Sequence, residues 1–186
     1  TISVNVFQRE AKITAGTNFT AQSETGNVVI QALGKDMTIL VALAAAGSST
    51  GAAIAGTIPV VVGLSTIETN IGDYAKLLAD GSVGVAANLD SSLYDVAGGL
   101  TVSGGGVGAG ATISTVVQNN SVIANLGDHA YVVAAGNGSG IATGNRKIKR
   151  SGIIISATAS ETVVQIAIAA SAAAGSAAIS GAVTTL

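Results

Sequence analysis

The sequence predicts an all-β protein, a parallel β-solenoid (β-helix) expected to be right-handed and built from imperfect repeats. Three observations predict it. Short segments rich in Val, Ile and Thr recur along the chain, alternate at period two, and are bounded by Gly, Asn or Asp, which is how half-buried strands read. The chain also resembles itself at fixed offsets. Its composition is small: 25 glycines, 3% aromatic and 48% apolar residues, and no cysteine.

The clearest strands are 2–7, 28–32, 57–62, 112–117, 131–134 and 153–157. Two Ala-rich segments, 37–46 and 163–174, are ambiguous. Alanine favours helix, but Ile39, Val41 and Leu43, like Val164, Ile166 and Ile168, recur at every second position. That period favours continued strand. Pro59 lies inside a predicted strand, where a missing N–H suggests a strand start, a bulge or an edge.

The repeats set the organisation. Residues 70–81 align with 125–136 without gaps, 55 positions apart. Residues 28–32 align with 153–157 at an offset of 125, and that register carries on through Ala42 and Ala167 to Gly56 and Gly181. A fainter third copy of the first repeat reads at 11–16. The expected layout is one solenoid domain over 1–186, with repeats near 1–81, 82–136 and 151–186 and a loop inserted at 137–150. A coil of roughly 20–25 residues would give roughly seven to nine rungs and a rod about 35–45 Å long, at ~4.8 Å per rung.

Charge excludes several functions. With 10% charged residues and a net charge of −2, the chain has neither the charge of a disordered segment nor the basic face of a nucleic-acid binder. Three stretches, 37–67, 96–127 and 162–186, carry no formal charge. Each exceeds the ~20 residues of a membrane helix. Interruption by Gly47 to Gly51 and Gly104 to Gly106, the lack of Trp, and alternation at period two speak against membrane insertion. Starting mid-pattern at Thr1, with no signal-peptide pattern, the chain reads as an excised or mature piece of something longer.

No constellation nominates an active site. His129 is the only histidine and aligns with Tyr74, so it reads as a half-exposed strand-start position. No Gly-x-Ser-x-Gly elbow occurs. Asp73 and Asp128, each after a glycine, could hold calcium in stacked turns; without acidic neighbours they read as Asx-type turns that cap backbone N–H groups. The glycines of 104–110 are not followed by Gly-Lys-Ser/Thr, so they are packing or turn residues rather than a phosphate loop. The expectation is no enzyme, cofactor or metal. One partner-binding loop is a candidate: Arg146, Lys147, Lys149 and Arg150 hold half of the eight basic residues and suit an anionic polysaccharide or an acidic protein surface. Tyr74, Tyr94 and Tyr131 form no cluster in sequence.

The alternation of strand blocks with Ala/Gly-rich blocks such as 102–111, and the Gly-Asp turns at 71–73 and 126–128, resemble the repetitive passenger regions of large bacterial surface adhesins. Leukotoxin-like filamentous adhesins and autotransporters are closest, with filamentous haemagglutinin more distant. The resemblance implies a non-catalytic β-helical stalk exposed outside the cell or on its surface.

The ends of the chain share one phase of the repeat: 1–4 reads like 112–115, and 182–183 aligns with 57–58. Neither end carries a charged cap. Unpaired solenoid ends template further strands, so head-to-tail self-association into a fibre is expected. Ile2, Val4 and Val6 at one end and Val183 and Leu186 at the other are the candidate assembly residues. The competing readings are a membrane-embedded Ala/Gly-rich protein and a β-helical polysaccharide-acting enzyme.

Overall fold

A computed structural model describes residues 1–143 and 148–186. Ten strands run through the described residues: β1 (Ile2–Ala15), β2 (Thr20–Ser23), β3 (Val28–Ser48), β4 (Ala53–Ile71), β5 (Lys76–Ala79), β6 (Val83–Ser103), β7 (Val107–Leu126), β8 (Tyr131–Ala134), β9 (Ile153–Ala173) and β10 (Ala177–Thr185). They form three sheets, ordered β1-β4-β7-β10 (sheet A), β2-β5-β8 (sheet B) and β3-β6-β9 (sheet C). Every ladder is parallel. The predicted parallel β-solenoid is therefore the fold.

The rung is much longer than expected. One circuit takes Ile2 to Ile58, then Thr57 to Thr112 and Val28 to Val83, so a rung holds 55 or 56 residues and not 20–25. The chain completes three rungs and adds β10, in place of seven to nine. The stack is about 15–20 Å high, and the long dimension runs along the strands, where 21 residues span roughly 70 Å. The Ala-rich blocks are strand, as their period predicts, and they make each wall about 20 residues long. Segments 37–46 and 163–173 simply continue β3 and β9 as strand. The 55-residue repeat and the 125-residue match were the rung spacing itself: Val28, Val83 and Ile153 share one column.

Rungs run from 2 to 48, 53 to 103 and 107 to 173, a phase different from the expected repeats. The third step, Val83 to Ile153, is 70 residues. The excess lies between β8 and β9. The faint copy at 11–16 belongs to another column: Ala11 pairs with Ile67, and the partner of β5 is Thr20–Ser23. Pro59 is neither an edge nor a bulge. Ile58 and Pro59 do not pair with β7, yet the register on both sides of them is unchanged. Ile58 N–H bonds the β1 side, so the missing N–H of Pro59 faces β7.

Sheets A and C face each other as two long walls, and sheet B closes one end. At that end the core is large: Ile71, Leu77, Val83 and Val85, then Ile67 and Leu89. Toward the far end it narrows. Inward positions become Ala53, Ala55, Ala97, Gly99, Gly108 and Gly110. There the walls touch backbone to side chain. Thr57 donates to Gly98 O at 3.2 Å and Thr112 to Ile168 O at 3.1 Å. A Cβ on Gly108 would lie 2.9 Å from Ala172 O across the gap. The far end is thus a thin tongue with small residues inside, and the large aliphatics of this stretch point outward.

Candidate functional site

The open rungs come first. In the middle rung the column residues Val83 and Val85 are 1% exposed, whereas their third-rung equivalents Ile153 and Ile155, with the same inward direction, are 54% and 49% exposed. The interior is sealed in the middle and open at the last rung. The candidate assembly residues lie on the outermost strands of sheet A: Ile2, Val4 and Val6 on β1, and Val183 on β10, with Leu186 one residue past its end; all are exposed. The side chains of Ile2, Val4, Val6 and Val183 are on the outward parity of their strands, whereas Leu186 lies beside Val116, Gln118 and Val163 at the open last rung. The contact that would extend the stack is the unpaired backbone edge beside them.

The described residues of the predicted loop, 137–143 and 148–150, are anchored. Its Ile141 is buried, bridges Arg150 in antiparallel fashion, and lies over Gly84 on the outer face of sheet C, where a Cβ would meet Ile141 Cδ1 at 2.4 Å. Ser156 donates to Thr143 at 3.1 Å, and Asn137 Nδ2 to Asp80 Oδ1 at 2.8 Å. On the same outer face Ala86, Asn88 and Ile154 are buried. Of the basic quartet, Lys149 and Arg150 are exposed beside it, and Lys149 reaches Ser139 at 3.4 Å. Arg146 and Lys147 lie outside the described residues. Sequence reasoning missed Ile141. Its signal was a branched aliphatic set among the Gly, Ser, Asn and Thr of 137–145, apart from Ile148 in the basic run.

The Gly-Asp repeats are stacked turns between sheets A and B. A Cβ on Gly127 would lie 2.5 Å from Gly72 C, and one on Gly72 would lie 2.7 Å from Gly16 C. Only glycine allows turns to stack at this spacing. Asp73 Oδ1 accepts the Asp128 N–H at 2.9 Å, so the carboxylate caps the backbone of the next rung. Asn18, Tyr74 and His129 occupy one column, each with φ near +60°, and the rings of Tyr74 and His129 stack at 5.0 Å. Among the described residues no group of three His, Cys, Asp or Glu could hold a metal ion.

Two polar layers cross the interior, and sequence reasoning missed both. Arg9 and Asp36 pair at 3.1 Å across the first rung, Ser65 donates to Asp36 at 3.5 Å, and Asn120 donates to Glu161 at 2.7 Å in the third. Registers place Arg9, Ser65 and Asn120 in one column and Asp36, Ser91 and Glu161 in the opposite one. Further out, Asp95 is fully buried and accepts from Ser114, while Gln165 Nε2 donates to Ser114 at 3.2 Å. The detectable signal is phase: these polar residues fall on the inward parity of their strands.

Among the described residues the outer faces carry one ion pair, Lys12 with Glu68 at 2.8 Å. Hydrogen bonding to Lys12, and then to Asn70, holds the Glu68 carboxyl below its ordinary value, and Glu68 raises Lys12. No helix among the described residues is long and apolar enough to cross a membrane.

No protein-family model, curated protein or solved structure matches the chain.

Proposed function

We propose that the chain is a non-catalytic structural segment of an extracellular, cell-surface β-solenoid of the bacterial adhesin kind, and that its open rungs stack head to tail into a fibre. One observation carries the stacking. An apolar column that is sealed at Val83 and Val85 stands open to water at Ile153 and Ile155. A further parallel rung would bury the exposed half of these side chains, worth about 1 kcal/mol each, and would pair the exposed edge. Contacts of this kind do not close on themselves, so they generate filaments. The surface location rests on the resemblance of the Ala/Gly-rich strand blocks to adhesin passengers and on the lack of cysteine. Lys149 and Arg150, exposed on an anchored loop, offer an anionic partner such as a host or matrix polysaccharide two fixed charges.

Sedimentation and electron microscopy of the purified chain test the stacking. Filaments with a repeat of about 4.8 Å along their axis are expected. A folded monomer that persists at high concentration would overturn it.

A further inference from the structure

We propose a second, lateral contact: the outer face of sheet C, in the thin half of the molecule, packs against the same face of a second copy of this chain.

The three charge-free stretches of the sequence turn out to be one object. Registers stack 37–48 on 92–103 and 162–173 in sheet C, and 53–67 on 108–122 in sheet A. They build a tongue whose one charged residue, Asp95, points inward, so that its outer faces are uncharged. On its sheet-C face Ile39, Val41, Leu43, Leu100, Ile166 and Ile168 point outward and are 43–68% exposed. Nothing charged interrupts them over three strands. Such a face measures roughly 33 Å by 14 Å. With their smaller neighbours these side chains expose on the order of 800 Å² of apolar surface, which reaches the ~800 Å² per partner of a standard interface. It also exceeds the ~300–600 Å² patch of a typical monomer.

Chemistry selects the occupant. A lipid interior is a poor one, because the tongue has open sheet edges at β3 and β9, and unpaired backbone groups are not tolerated in hydrocarbon. A second copy needs no backbone partner from the face itself. The relief is also self-complementary. The column Leu43, Gly98, Ile168 lacks a side chain at its centre and leaves a groove of about 510 Å³, lined by Leu43, Val96, Gly98, Leu100 and Ile168 among others. Leu100 stands two residues further along the same strand. A two-fold axis between them seats each copy's Leu100 over its partner's Gly98 groove, which makes the contact isologous. The sheets then pack about 10 Å apart.

The test uses charge at that axis. Sedimentation of the wild type should give a dimer or, where end-to-end filaments form, filaments of double width. Leu100→Lys and Leu100→Glu should each weaken lateral association at least tenfold while circular dichroism stays that of a β-protein. Mixing the two variants in equal amounts should restore the dimer or the double width. A wild type that is monomeric or of single width overturns the proposal. So do single variants that keep the wild-type mass and width, or a mixture that stays apart. Binding of a monomeric wild type to neutral phosphatidylcholine vesicles would assign the face to lipid and overturn it as well. End-to-end growth is read from filament length, so its failure is separate from failure of the lateral contact.

Discussion

Thr57 and Gly98 belong to facing sheets, yet the Thr57 hydroxyl donates directly to the Gly98 carbonyl at 3.2 Å. Facing sheets ordinarily stand about 10 Å apart with side chains interdigitated between them. Here a single threonine spans the gap, which is why the inward positions of 97–103 and 108–114 are Ala, Gly, Ser and Thr. The outward positions then hold the aliphatics that would otherwise have filled a core.

That closeness makes volume in the tongue expensive. A Cβ on Gly108 would sit 2.9 Å from Ala172 O, and one on Gly110 would sit 3.1 Å from Ala170 O, both backbone atoms of the opposite sheet. Gly108→Val should destabilise by about 1–3 kcal/mol or more, as overpacking does. The outward Gly98→Ala should cost under about 1 kcal/mol. Its Cβ would meet only Leu43 Cδ2, at 2.7 Å, the mobile tip of an exposed side chain. Urea denaturation of the two variants measures the contrast.

Ile141 and Gly84 make a second size-dependent contact, on the outside of sheet C. Ile141→Ala should cost about 2 kcal/mol, at the low end for a buried aliphatic. It should also raise hydrogen exchange at 141 and 150, whose amides bond one another's carbonyls. Gly84→Val should release the same loop without touching the core. If exchange at these amides is unchanged in both variants, the loop is not held by this contact.

Much of this was legible because strands write their parity into sequence. The alternation of Ile39, Val41 and Leu43 marked β3 as strand despite three consecutive alanines, and the ungapped offsets of 55 and 125 carried the true register. The rung length was misread because a coil of roughly 20–25 residues was assumed although the ungapped offset was 55. Gly99, Gly108 and Gly110 proved to be strand residues whose lack of a side chain permits close approach between sheets, and nothing in a single sequence separates a glycine that turns from a glycine that packs. The anchoring of the basic loop and the pairing of Arg9 with Asp36 depend on which faces meet, and that is settled only once the two walls are placed.

The stacked turns give a prediction about ions. Asp73 accepts the Asp128 N–H at 2.9 Å, and the two carboxylates recur one rung apart. Asp73→Ala should cost about 0.5–1.5 kcal/mol, the value of one net hydrogen bond. Asp73→Asn keeps an acceptor and removes a like charge, so it should be neutral or slightly stabilising. Millimolar calcium should leave the melting temperature of the wild type unchanged. A calcium-dependent rise that Asp73→Asn abolishes would mean that the turns bind the ion.

Lys12 and Glu68 tie β1 to β4 on the outer face of the first two rungs. The folded state lowers Glu68 below its ordinary value of 4.5, chiefly through the hydrogen bond from Lys12. Its contribution is therefore complete above that value and lost as the pH falls through the lowered one. Lys12 is raised above 10.5, first by the same hydrogen bond. Its contribution is present below 10.5 and lost as the pH rises through the raised value. The pair thus supports β1 across the neutral range and fails at both extremes. Glu68→Gln should flatten the acid limb of a melting-temperature profile below about pH 4.5 and leave other carboxylates to shape what remains. Lys12→Met should flatten the alkaline limb and, because it removes the main cause of the Glu68 shift, part of the acid limb as well. The pair is exposed and screened, so both changes should be small and should shrink further in high salt. A Glu68→Gln profile that parallels the wild type at low pH in dilute buffer would remove this pair from the account of how the first strand is held.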